Sequence, residues 1–439
     1  MMWGGWIQAN QLMGDVLWNG GQRDKAEIAY RKVIALSEQR LRTLRPFSDR
    51  AQLMRDAGKA YRAIVEVFWD HGDADGALRA WESYRSGEQP KGGNPLDLAA
   101  RLPRVRSETF LTYAVLPGGI TAWLYDNRGI DGKRLVPKPD ELEITALRFL
   151  RECADPTSDR KALERDSRQL YDWLVAPLAH RLEPGRVLVV EPDGAVGAVP
   201  MQALLDERSV YLGERFAITI AASLADYQHR AAFGAVNRDA RALVIANPTL
   251  GEDMSRTFSP LPGALQEGQA VAQYFSRTIQ LTGREATIET MERYRPGAEL
   301  LHFAGHGFSN AGNGGLLLSP GEGSREGAGV LSGSKVSEQN WNGCRLAVLS
   351  ACSAGTGEAN GAVNPESLVR GLLWGGVKRV VASRWNMQDN SLLMNKFYQE
   401  LLSGKDTATA LQHAARQLRR AEGTRHPYYW AGFQCFGTR

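Results

Sequence analysis

Two residues of this chain have the type and surroundings for covalent chemistry, Cys352 and His306. Cys352 ends the apolar run Leu346-Ala347-Val348-Leu349-Ser350-Ala351 and is followed by Ser353-Ala354-Gly355. His306 ends Leu301-His302-Phe303-Ala304-Gly305 and is followed by Gly307. Each segment reads as a strand running into a small-residue turn. Two such strands separated by a long connection suit neighbouring places in a parallel sheet. That arrangement predicts His306 and Cys352 side by side at the carboxyl edge, where open α/β sheets carry their sites. A thiol beside an imidazole is a nucleophile beside its base. The ring lowers the thiol pKa and later protonates a leaving group.

The bland alternatives are real. A cysteine is commonly a small core hydrophobe, but the small residues after Cys352 leave room for a substrate. His306 could be a turn histidine without a task. Its flanking glycines, free to adopt backbone conformations closed to other residues, would leave the imidazole open. The N–H groups of Gly307 and Cys352 are the candidate oxyanion donors. His302 reads as a satisfied core residue, and Cys344 and Cys435 as structural. No carboxylate or amide near His306 must be its orienter, so the expectation is a dyad whose histidine tautomer a backbone carbonyl could fix. Gly355-Thr356-Gly357 lacks the Gly-Lys-Ser/Thr ending of a phosphate loop, and nucleotide binding is not expected.

These residues need a framework. The chain has 439 residues, enough for two or three domains. Its 43% hydrophobic and 23% charged content is that of an ordinary globular protein, and a net charge of +4 does not argue for nucleic acid. The four cysteines lack metal-ligand spacing, which predicts no metal and a reducing, cytoplasmic setting. No apolar run approaches the roughly 20 residues of a membrane helix. Met1 to Asn10 lacks a signal-peptide pattern.

Residues 1–90 read as helical. Gly21 is followed by Ala26, Ala29 and Tyr30, and Gly72 by Ala77, Ala80 and Trp81 at the same offsets. The pattern resembles the second helix of a tetratricopeptide repeat, although the matches lie further apart than the roughly 34-residue period. The safer statement is an irregular stack of helical hairpins. A Pro/Gly-rich stretch, Ser86 to Pro95, closes this module.

Residues 91–235 carry a predicted hairpin, 109–116 with 120–125, then helices near 141–151 and 159–182 and a strand at 187–190. Residues 236–439 alternate strands (242–246, 300–304, 346–350, 379–382) with helices (264–275, 288–293, 365–374, 391–402, 407–421). That alternation predicts an α/β layered sheet. The glycine-rich segment 320–329 is expected to be an active-site loop, and His426-Pro427-Tyr428-Tyr429-Trp430 to close the sheet.

Four blocks in order carry a family resemblance: His-Phe-Ala-Gly-His-Gly (302–307), Leu-Ser-Ala-Cys-Ser-Ala-Gly (349–355), Gly-Gly-Val-Lys-Arg-Val-Val-Ala-Ser-Arg-Trp (375–385) and His-Pro-Tyr-Tyr-Trp-Ala-Gly-Phe (426–433). Glu191-Pro192-Asp193-Gly194 followed by Val199-Pro200 resembles the opening strand and loop. From about Phe110 to Gly437 the chain resembles the CHAT family, caspase-like domains often attached to tetratricopeptide repeats and grouped with caspases, separases and clostripain-like enzymes. The resemblance implies a caspase-like α/β/α sandwich with a mostly parallel sheet, preceded by a small all-α module. It implies a cysteine endopeptidase with His306 as base, Cys352 as nucleophile, a thioester intermediate and no cofactor.

The loop after the strand at 379–382 would wall the cleft beside Cys352. There Asp389 would favour a basic substrate side chain, in agreement with the basic preference of separases and clostripain-like enzymes. Asp389 also stands where the next helix needs an N-cap. Asp193 is a second candidate pocket acid, or a turn residue, and Trp385 an apolar wall or core filler. By analogy the helices would bind an activating partner, and the substrate would be a gasdermin-like or other effector protein in bacterial defence or cell death. The competing readings are an inactive caspase-like scaffold and a different thiol enzyme such as an acyltransferase.

Overall fold

The computed structural model describes residues 2–44, 47–86, 107–224, 227, 234–259, 261–310, 313–321, 329–353, 365–385 and 391–438. Helices of ten or more residues are numbered here.

Four helices come first, α1 (Met2–Asn19), α2 (Arg23–Leu41), α3 (Phe47–Asp70) and α4 (Ala74–Ser86), each packed on the next. The glycine signals mark two equivalent turns. Gly21 and Gly72 take φ of 74° and 75°, left-handed values that a side chain resists. Each follows a helix whose last carbonyls accept from the glycine N–H and the next N–H: Gly21 to Trp18 and Gln22 to Leu17, Gly72 to Trp69 and Asp73 to Phe68. The alanines and aromatics at the shared offsets (Ala26, Ala29, Tyr30; Ala77, Ala80, Trp81) are all buried. The module is consistent with tetratricopeptide-like hairpins.

Among the described residues, the rest is built on one sheet of 13 strands. They are β1 (Glu108–Leu116), β2 (Gly119–Asp126), β3 (Gly129–Arg134), β4 (Val187–Glu191), β5 (Ile218–Ile220), β6 (Arg241–Pro248), β7 (Arg277–Gly283), β8 (Leu300–Asn310), β9 (Asn313–Leu317), β10 (Val330–Ser332), β11 (Leu346–Ser353), β12 (Arg379–Ser383) and β13 (Phe433–Gly437). The helices between them are α5 (Pro139–Ala154), α6 (Arg160–Leu174), α7 (Pro262–Ala272), α8 (Pro365–Trp374), α9 (Ser391–Leu402) and α10 (Thr407–Arg420). The order is β10-β9-β8-β11-β12-β13-β5-β4-β1-β2-β3, with β6 pairing β8 and β7. Most pairings are parallel. The central strands are largely apolar, as suits strands covered on both faces. β6 and β11 feed crossovers in opposite directions along the sheet, which puts α7 and α8 on opposite faces.

The expected hairpin is β1–β2, and a third strand, β3, extends it after Gly129 at φ 111°. The helix expected over 159–182 ends as α6 at Leu174, because Pro177 cannot continue it. Its start is set by Asp159, whose side chain accepts from the Lys161 N–H.

One step reverses the sheet. β12 and β13 are antiparallel, whereas β13, β5, β4 and β1 are parallel to one another. The carboxyl end of β4 therefore lies at the opposite edge from that of β11, and Asp193, just past β4, goes with it. The helical module occupies that edge. Arg62 of α3 grips Asp193 through both guanidinium nitrogens (Nη2 to Oδ1 2.9 Å) and donates to the Val115 carbonyl at 2.6 Å. Asp193 also accepts from the Val115 N–H at 2.7 Å. Burial pushes the Asp193 carboxyl up, but Arg62 and Val115 outweigh it and hold the group below its usual range. Arg85 of α4 donates to the Ala222 and Pro192 carbonyls, both at 2.8 Å. Across the sheet edge Arg134 pairs with Glu66 at 2.7 Å.

Between those contacts two carboxyls meet. Glu82 of α4 accepts from the Leu224 N–H at 2.8 Å, and Glu191 at the end of β4 accepts from the Thr112 hydroxyl at 2.6 Å. The second oxygen of each is buried and finds no donor, so a proton shared between the two carboxyls is the missing partner. Burial and the Glu191 carboxylate push Glu82 well above the usual glutamate range. A carboxyl raised by folding contributes stability at low pH that is lost as pH climbs from the ordinary glutamate range through the folded value. Glu82→Gln, uncharged and able to donate to Glu191, should remove that slope and raise stability at about pH 8 by roughly 1–3 kcal/mol, the cost of an unsatisfied buried polar group. Thermal unfolding of both proteins between about pH 5 and 9 checks this; parallel curves would assign the pair no such part.

Candidate active site

β8 and β11 run parallel through eight register pairs, from Leu300↔Leu346 to Gly307↔Ser353, and His306↔Cys352 is one of them. Register partners occupy the same face of a sheet. The sequence-derived pair is thus adjacent at the backbone. Neither position lies in a turn: β11 includes Cys352, and β8 continues to Asn310, where its tail pairs with β9. Gly305 and Gly307 have no positive φ, so neither serves for backbone freedom. A Cβ on Gly305 would stand 3.0 Å from the Phe303 ring and 3.1 Å from Pro248 of β6. Gly307 is register partner to Leu316 on one side and Ser353 on the other.

The His306 ring is half-buried. Its Nε2 lies 2.7 Å from the Ser259 carbonyl, and the Phe258 ring stands 5.1 Å away, centroid to centroid. A carbonyl only accepts, so Nε2 carries the proton and Nδ1 keeps its lone pair. Burial pushes the His306 pKa down, partly offset by the Ser259 bond. The ring is therefore neutral, a base, over more of the physiological range. Sequence reading missed Phe258 and Ser259. The available signal was the proline-flanked run Ser259-Pro260-Leu261-Pro262 entering α7, which fixes a helix start beside the sheet edge.

Beneath the pair on the same face lies a buried polar group. His302 is fully buried, with Nδ1 3.0 Å from the Tyr398 hydroxyl of α9 and Nε2 3.3 Å from Oε1 of Glu267 on α7. Glu267 Oε2 accepts from the Ser350 hydroxyl at 3.0 Å. On the far side of β11 the Ser383 hydroxyl of β12 accepts from the Ala351 N–H at 3.2 Å and donates to the Ala351 carbonyl at 2.9 Å.

The pocket residues fare differently. Asp193 is bound to Arg62 at the opposite sheet edge, which corrects its expected place beside Cys352. Trp385 is 5% exposed, with its indole N–H donating to the Tyr428 carbonyl at 3.1 Å, so it fills core rather than presenting a broad wall. Asp389 lies outside the described residues, as does 322–328 of the glycine-rich loop.

A three-layer α/β/α fold whose sheet aligns a histidine with a cysteine on adjacent parallel strands is the architecture of caspase-like proteins. The CHAT domain family model matches residues 164–438, more than half of the sequence, and the chain belongs to that family. The β1–β3 meander and the helical module precede the matched region. No curated protein matches the sequence. Chains from two crystal structures of the Saccharomyces cerevisiae separase–securin complex overlay with TM-scores of 0.54 and 0.53 at 12% identity. The overlays cover 100% and 95% of this chain but 40% and 37% of those chains, so this chain spans about two-fifths of their length. They share its caspase-like fold.

Removing the apolar cover should move the histidine. In Phe258→Ala the His306 titration is expected to shift upward, toward the ordinary imidazole range, as water reaches the ring. Histidine NMR titration reads this directly; an unmoved midpoint would mean that Phe258 does not shield the ring.

Proposed function

We propose that this CHAT-family protein is a cysteine endopeptidase acting on a protein substrate. The carrying observation is the register pairing of Cys352 with His306, together with a carbonyl on Nε2 that leaves Nδ1 as the basic nitrogen. The Cys352 thiol gives its proton to His306 and the thiolate attacks the scissile carbonyl. The amine leaves with the proton from His306, and the resulting thioester is hydrolysed by water that the same ring deprotonates. The N–H groups of Cys352 and Gly307 are the proposed donors to the oxyanion. Asp389 is the proposed pocket acid, giving preference for a basic residue before the cut bond.

Activity of this kind needs control, and an activating protein partner on the helical module is the proposed form of it. The exposed apolar side chains of α1 (Trp6, Leu12, Met13 and Val16) suit such contact. Separase in the overlaid structures is itself complexed with a protein, securin. The effector substrate in bacterial defence or cell death, and the cytoplasmic setting, belong to the same proposal.

The experiment is proteomic mapping of new N-termini in cells carrying the active protein or Cys352→Ala. The variant should fold and lose cleavage by roughly 10⁴-fold or more, as removal of a nucleophile does; retained cleavage sinks the assignment. Asp389→Ala should weaken discrimination for basic residues by about 2–5 kcal/mol, the cost of breaking one buried charge pair. A peptide library showing unchanged preference would leave Asp389 as a helix cap.

A further inference from the structure

Glu267 is a carboxylate in the core, 3% exposed, on the face of α7 that meets the sheet. Burying a charged group is costly, and an apolar side chain of similar size would serve packing better. Its partners show what it joins. Oε2 takes the Ser350 hydroxyl (3.0 Å), two residues before Cys352 on β11. Oε1 stands 3.3 Å from Nε2 of His302, four residues before His306 on β8, an ion-pair distance without hydrogen-bond geometry. His302 Nδ1 in turn faces the Tyr398 hydroxyl of α9 at 3.0 Å. Among the described residues His302 and Tyr398 are titratable groups facing the carboxylate; β6 presents the apolar Ala246 and Val244 side chains to its neighbour Gly268. The next residue sets the depth of the helix: a Cβ on Gly268 would lie 2.3 Å from Ala246 Cβ, so only glycine lets α7 approach β6 this closely.

The same helix governs the histidine. Ser259, whose carbonyl holds His306 Nε2 at 2.7 Å, lies just ahead of Pro262, the first residue of α7. A slip of α7 by one residue moves it about 1.5 Å along its axis, more than a hydrogen bond tolerates. We infer that Glu267 is a positioning residue for the dyad, pinning α7 to both strands that carry Cys352 and His306 and so holding the Ser259 carbonyl against the ring. This rests on the peptidase reading above. His302 thereby gains a task beyond filling core, as the orienter of that carboxylate.

The test compares Glu267→Ala and the conservative Glu267→Gln in the full chain, with folding checked by near-ultraviolet circular dichroism. The first readout is the His306 tautomer from ¹⁵N-histidine NMR, assigned with His306→Ala. The wild type should show one Nε2–H tautomer, Glu267→Ala a mixture, and Glu267→Gln the wild-type pattern. The second is the rate of Cys352 alkylation by iodoacetamide at about pH 7, with Cys352→Ala as background. It should fall about 10–100-fold in Glu267→Ala, as for a misplaced catalytic group, and recover in Glu267→Gln. A folded Glu267→Ala with the wild-type tautomer and alkylation rate overturns the proposal. If Glu267→Ala does not fold, Ser350→Ala, which removes one bond to the carboxylate, is read by the same criteria. Wild-type alkylation indifferent to His306→Ala would bring down the peptidase reading instead, while the tautomer measurement still decides whether Glu267 holds the ring.

Discussion

The register of β8 on β11 is the constraint on which everything at the site depends. A parallel pair shifted by one residue turns every side chain to the other face, and His306 would then no longer share a face with Cys352. Two features bear on that register, and a third fixes β11 on its other neighbour. The paired segments are buried on both faces, with Leu300–Ala304 and Leu346–Leu349 each at most 3% exposed. Ser383 ties β11 to β12 through the Ala351 backbone. Glu267 accepts from Ser350 of β11 and stands 3.3 Å from His302 of β8. Apolar matching and two polar clamps therefore act on the same few residues.

The reversal between β12 and β13 divides the sheet into halves with opposite carboxyl edges. One edge carries His306 and Cys352. The other, past β4, is filled by Arg62, Arg85 and Glu82 from the helical module. The module is thereby built into the sheet as a cover for its second edge. α3 touches β1 and also packs Arg50 over Trp374 of α8. It joins the helices to both halves of the sheet.

Much of this framework was legible in the residues. The β-branched and leucine-rich runs marked β4, β6, β8, β11 and β12, and the repeated glycine–alanine–aromatic spacing marked the two helical turns that share one hydrogen-bond pattern. Four motif blocks pointed to the CHAT family over the region where its model matches. β5 and β10 escaped because three residues carry no measurable period, and β9, Asn-Gly-Gly-Leu-Leu, because it lacks the apolar run that marked β4 and β12. The glycines before and after His306 were read as backbone freedom, whereas at Gly305 the constraint is crowding by Phe303 and Pro248.

What the sequence by itself determined was local: which segments form strands, where helices turn, and which two side chains have the chemistry of nucleophile and base. Direction and company were decided only by the tertiary structure. Asp193 looked like a residue beside the cleft until the antiparallel β12–β13 step carried its loop to the other edge, where Arg62 claims it. Ser259 and Glu267 look ordinary in the chain and matter only because α7 brings a carbonyl to His306 and a carboxylate to β8 and β11. Periodicity encodes which face of an element is apolar; it does not encode which way a neighbouring strand runs or which backbone oxygen meets a ring nitrogen. Those follow from packing among residues far apart in sequence.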